Sequence, residues 1–126
     1  MPLVTGISPV LLVADLGRSA GFFGEQLGFT CRLHGDPPNF ATATRDGETI
    51  LLSLAGPSHT VVPNWQIVEK LWDVYIRVDD VDAVYAEVQE RGAAIDYTIY
   101  NAPHGFREFG VQDPDGHDIA FGQPLS

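Results

Sequence analysis

The chain states one pattern twice, about 65 positions apart. Val13-Ala14-Asp15-Leu16 opens a helix-like stretch that ends near Leu27-Gly28. Val78-Asp79-Asp80-Val81 opens another that ends near Arg91-Gly92. A strand-like run precedes each, Ile7 to Val13 and Trp72 to Val78. Two copies of one supersecondary unit in a small chain commonly bury their faces on each other. The expectation is a cleft related by pseudo-twofold symmetry, which is a natural seat for a ligand.

Within the first copy, Ile7, Pro9, Leu11 and Val13 alternate with Ser8, Val10 and Leu12, as a strand with two unlike faces does. Asp15 suits the N-cap of a helix through Leu27, with Gly28 as its stop and Phe22, Phe23 and Leu27 as its buried stripe. Strands are expected over 29–33, 39–45 and 48–55, with Asp46-Gly47 as a hairpin turn. Two prolines, His59 and Trp65 fall in a linker over 56–70. In the second copy Val74, Ile76 and Val78 alternate with Asp73, Tyr75 and Arg77. Asp79 or Asp80 caps a helix carrying Val81, Val84, Tyr85 and Val88 at helical spacing. Strands over 94–100, 107–112 and 117–122 follow, the last two joined by the turn Asp113-Pro114-Asp115-Gly116. The reading is α+β: one domain over 1–126, with βαβββ modules at 1–55 and 71–126.

Composition narrows the function. A formal charge of −10 opposes phosphate binding, so no nucleic-acid partner is expected, whereas cationic small molecules are attracted. No apolar run reaches the roughly 20 residues of a membrane span, and a cytoplasmic protein without a membrane partner is the expectation. The single Cys31 leaves no intrachain disulfide framework and no cysteine zinc cluster.

The duplicated βαβββ order, the Val13-x-Asp15-Leu16-x-x-Ser19 segment and the Asp113-Pro114-Asp115-Gly116 turn together resemble the vicinal oxygen chelate superfamily. That group includes glyoxalase I, bleomycin resistance proteins, fosfomycin thiol transferases and extradiol dioxygenases. The resemblance implies curved mixed sheets around a concave cleft and, by analogy, a homodimer. Metal-using members carry His, Gln or Glu at four strand positions. Counting from the landmarks puts Ser8, Leu52, Asp73 and Ala120 there, or Ser53 for Leu52 if the register slips by one. One carboxylate, an alcohol and two aliphatic groups do not make a transition-metal site. No metal, no cofactor and no catalytic residue is therefore assigned.

Strand parity extends this quartet. If Ser8 and Asp73 face the cleft, so do Val10, Tyr75 and Arg77, with Glu108, Gly110, Asp118 and Ala120 beside them. Phe40 and Trp65 are aromatic candidates for its rim. In this scheme Arg77 pairs with Glu108 or Asp73, or else the acids meet a cationic ligand. The expected function is metal-free binding of an antibiotic-like, cationic or aromatic small molecule, as in bleomycin resistance proteins. The alternatives are a metal-dependent lyase, isomerase or dioxygenase with displaced ligands, and an interaction module whose cleft is filled by its own side chains.

Overall fold

In the computed structural model, which describes residues 2–126, the chain separates into two compact units, Met1–Val61 and Val62–Ser126. The first contains β1 (Val10–Val13), α1 (Leu16–Gly21), β2 (Thr30–Gly35), β3 (Pro38–Arg45) and β4 (Glu48–Leu54). The second contains β5 (Val74–Arg77), α2 (Val81–Glu90), β6 (Ile95–Asn101), β7 (Phe106–Gln112) and β8 (Asp118–Pro124). The sheet orders are β1-β4-β3-β2 and β5-β8-β7-β6. In each sheet the outer pair, β1 with β4 and β5 with β8, is parallel, and the remaining pairs are antiparallel. This is βαβββ written twice.

Capping explains both helix starts. The Asp15 carboxylate accepts the Arg18 N–H, and the Asp80 carboxylate accepts the Ala83 N–H. Each satisfies one of the donors that a helix N-terminus leaves unpaired. The first helix does not run uniformly to Leu27 as the spacing predicts. It passes at Phe22–Gln26 into a wider π-helical turn in which Phe22 and Phe23 are both buried, their rings edge-to-face at 5.1 Å. Asp46 and Gly47 both take positive φ, 53° and 82°, closing the β3–β4 hairpin in the twisted form that suits it. The linker holds a single 3-10 turn, Asn64–Gln66.

The first strand is shorter than expected. Pro9 has no N–H to give a ladder, so β1 begins at Val10 and Ser8 lies ahead of it, exposed. Ile7, read as part of the alternating strand, lies ahead of β1 and is 84% exposed. Register then divides each sheet into two faces. In the first unit Leu11, Ala41 and Leu52 lie side by side and are buried, as are Ala43 and Ile50. In the second unit Val74, Ile119, Val111, Phe109 and Phe121 form the buried face. The ring of Tyr85 on α2 packs on Phe109 at 4.8 Å, which identifies this as the helix side. Phe109 also stacks on Phe121 at 5.2 Å. Each such buried aromatic contributes about 2–3 kcal/mol through removal from water.

Candidate functional site

The opposite face of the second sheet is polar, and two irregularities in β6 shape it. Ile95 pairs with Val111 and Tyr97 with Gly110, so two steps along β6 match one along β7. From Tyr97 to Tyr100 three steps match the two from Gly110 to Glu108. Each extra residue is a β-bulge, which breaks the alternation of side chains. As a result Asp96, Tyr97, Thr98 and Tyr100 all line one pocket, an arrangement that regular alternation forbids.

Glu108 is the hub of this face. It is 1% exposed, yet both of its oxygens have partners. The Tyr75 hydroxyl donates to Oε1 at 2.9 Å and the Tyr97 hydroxyl to Oε2 at 2.7 Å. His104 Nε2 donates to Oε1 at 2.5 Å. A buried carboxylate is tolerated when donors surround it, and here there are three. The same bonds hold both phenols protonated. The Tyr75 and Tyr97 hydroxyls are pushed well above the ordinary phenol range, first by burial and then by their bonds to Glu108. Tyr97 also accepts the Trp72 indole N–H at 3.1 Å. Trp72 meets Tyr75 edge-on at 4.8 Å, and His104 stacks on Phe106 at 5.3 Å.

Two glycines make room for the tyrosines. A Cβ on Gly110 would run into the Tyr97 ring, and a Cβ on Gly122 into the Tyr75 phenol. Without side chains at these positions, each ring lies against a bare backbone and its hydroxyl reaches Glu108.

Beside the hub opens a pocket of about 490 Å³, within the range typical of small-molecule sites. Trp72, Tyr97 and Tyr100 supply its aromatic walls; Glu108, Asp118, Asp96, Thr98, His104 and Lys70 supply its polar groups. Asp118 is 4% exposed, and its Oδ1 has no hydrogen-bond partner among the described residues. Burial, the adjacent Asp96 carboxylate with its hydrogen bond, and the nearby charges of Asp73 and Glu108 push the Asp118 carboxyl up to about 7.

The sequence-predicted residues are placed unevenly. Glu108 and Asp118 line the pocket, and Tyr75 supports it through Glu108. Ala120 pairs with Tyr75 and Gly110 on the same face but is fully buried. Gly110 is covered by Tyr97 rather than open to a ligand. Asp73 is a brace: Oδ1 accepts the Asn64 N–H and Oδ2 the Asp118 N–H. The expected pairing of Arg77 with Glu108 or Asp73 does not form: Arg77 is exposed at the end of β5, and both acids are held by other donors. Trp65 donates its indole N–H to the Gly116 carbonyl at 2.6 Å and so buttresses the 113–116 turn; it is not among the residues lining this pocket.

In the first unit the expected face divides. Val10 lies opposite Leu51, and Phe40 opposite Ser53, so Val10, Leu12, Phe40 and Ser53 share one face. Phe40 is half-buried with its ring on His34 at 5.4 Å. Leu52 is on the other face, inside the core with no exposure, because its register partners are the buried Leu11 and Ala41. Leu51 and Ser53, one residue to either side, lie on the other face, opposite Val10 and Leu12.

Trp72, Asp96, Tyr97, Tyr100 and His104 were missing from the predicted site. Trp72 and His104 stand in irregular segments, and the bulges conceal the other three.

The metal chemistry of this fold class finds no donor set at the corresponding positions. Leu52 and Ala120 have no donor atoms, Ser8 is an exposed alcohol, and both Asp73 oxygens already accept backbone N–H groups. A separate group, Asp113, Asp115 and His117, brings donor atoms within 4.8 Å of one another. Its bonds are those of a turn. Asp113 Oδ1 accepts the Asp115 and His117 N–H groups, and Oδ2 takes the His117 Nδ1–H at 2.7 Å. Burial lowers the affinity of His117 for its proton, but the bond to Asp113 and the charges of Asp113, Asp73 and Asp115 outweigh it, leaving the pKa raised.

Solved structures share this architecture. A protein from Alicyclobacillus acidocaldarius described as a glyoxalase/bleomycin resistance protein/dioxygenase is 16% identical with a TM-score of 0.77, the match covering 96% of this chain and 92% of that one. TnmS3, an antibiotic binding protein from Streptomyces sp. CB03234, is 27% identical with a TM-score of 0.73 over 98% of both chains. The bleomycin-binding protein from Streptomyces verticillus, solved with copper(II)-bleomycin, is 24% identical with a TM-score of 0.72 over 100% of this chain and 99% of that one. No curated protein sequence matches. The family model described as Glyoxalase/Bleomycin resistance protein/Dioxygenase superfamily matches residues 6–121, and with the duplicated βαβββ sheets this makes the chain a member of that superfamily.

Proposed function

We propose that the protein binds a small, planar, antibiotic-like molecule in the pocket of its second unit, without a metal and without chemistry on the ligand. The observation that carries this reading is the pocket itself: about 490 Å³, walled by Trp72, Tyr97 and Tyr100 and floored by acids. Aromatic walls stack on a planar ligand, and the hub at Glu108 holds Tyr97 in place before any ligand arrives, which lowers the ordering cost of binding. The antibiotic-binding TnmS3, at 27% identity, supports the ligand class. Neither phenol of the hub suits a general base, because both are held protonated.

A cytoplasmic homodimer is part of the same reading. Among the described residues, no helix is long and apolar enough to cross a membrane. Calorimetric titration against bleomycin-type and other planar cationic compounds tests the proposal. Saturable binding at one site per chain, weakened in Trp72→Ala, is the expected result; no heat across the panel contradicts it.

A further inference from the structure

Asp118 is the group that the hub leaves unsatisfied. Glu108 is committed to three donors and Asp73 to two backbone N–H groups, Asp118's own among them, so neither acid offers the Asp118 carboxyl anything but like charge. From β6, the exposed Asp96 lines the same pocket beside the buried Asp118. His104 is tied to Glu108, while Lys70 stands exposed among the lining residues. The Tyr97 ring lies beside Asp118 over Gly110.

We propose that Asp118 and Asp96 form a cation subsite that receives a ligand ammonium group at the buried, unpartnered Asp118 Oδ1. The inference rests on the pocket reading above and names the ligand class: a planar ring carrying a protonated amine. Before binding, the Asp118 carboxyl holds a proton below about pH 7. After binding, the ammonium keeps its own protons, the Asp118 carboxyl is ionised, and its proton leaves to solvent. The charge therefore balances without any other reactant. Two further observations point the same way. The Oδ1 of Asp118 is buried with no partner among the described residues, and the adjoining walls are aromatic faces, which favour a cation over water. The proton held near neutral pH makes the exchange accessible under ordinary conditions.

The experiment compares 2-naphthylmethylamine with 2-naphthylmethanol, which share a ring and differ in charge, by calorimetry at pH 5.5 and 8 in buffers of differing ionisation enthalpy. The amine is expected to bind at least about tenfold tighter at pH 8 and to release close to one proton at pH 5.5, while the alcohol is unaffected. Asp118→Asn retains a donor for Asp96 and mimics the protonated acid; it is expected to lose the pH dependence and the preference for the amine. An amine affinity that is flat in pH, or no better than that of the alcohol at pH 8, overturns the subsite. If the alcohol still perturbs Trp72 in that case, the pocket reading survives alone. If neither compound perturbs Trp72, both fall.

Discussion

The ring of Tyr97 lies against the bare α-carbon of Gly110, and the Tyr97 hydroxyl thereby reaches Glu108 at 2.7 Å. The glycine and the hydrogen bond are one device. Gly110→Ala is expected to push the ring off the strand and break the bond, costing about 1–3 kcal/mol in chemical denaturation. Gly122→Ala is expected to do the same to Tyr75. An alanine tolerated without loss at both positions contradicts the geometry.

Glu108→Gln removes the charge that, together with burial, keeps two phenols protonated. An amide nitrogen then faces a hydroxyl that already accepts the Trp72 N–H, so a stability loss of about 1–3 kcal/mol is expected. In the wild type, two of the four tyrosines should resist ionisation beyond the ordinary phenol range, followed by absorbance as the pH rises. The variant should bring them down.

Asp118 gives stability a pH slope. Its folded pKa, about 7, lies above the unfolded value near 3.8, so the folded state binds the extra proton. Its contribution is whole below about 4 and is lost as the pH rises through 7. Asp118→Asn should therefore stabilise the protein at pH 8 by on the order of 2 kcal/mol and much less at pH 4. Denaturation midpoints at the two pH values measure it.

His117 shows the same sign in another group. Its pKa is raised in the fold, so the Asp113 pair stabilises fully below the unfolded value near 6.5 and less as the pH passes the folded one. His117→Gln is expected to be more damaging at pH 5 than at pH 9. Equal losses at both would show that the pair carries no charge-dependent stability.

The fold was legible because its signals are local and repeated. Asp15 and Asp80 cap where their spacing says, Asp46-Gly47 turns, and β5, β7 and β8 keep strict alternation, so Tyr75, Glu108 and Asp118 fell on the correct face. Leu52 was misplaced because a one-residue register ambiguity inverts a strand. Asp96, Tyr97 and Tyr100 escaped because a bulge has no strong sequence signature and β6 has two. Arg77 was assigned to an acid by charge alone. Two tyrosines and a histidine satisfy Glu108 instead, and no pairwise charge rule selects neutral donors.

The two tryptophans make the most direct test of ligand binding in the second unit. Trp72 donates its indole N–H to Tyr97 on the pocket wall, whereas Trp65 donates to the Gly116 carbonyl at the turn. Indole N–H resonances followed by NMR during titration with a planar cationic ligand report each separately. The account predicts a saturable shift of the Trp72 signal with Trp65 unmoved; a shift of Trp65 alone, or of neither at saturating ligand, contradicts it.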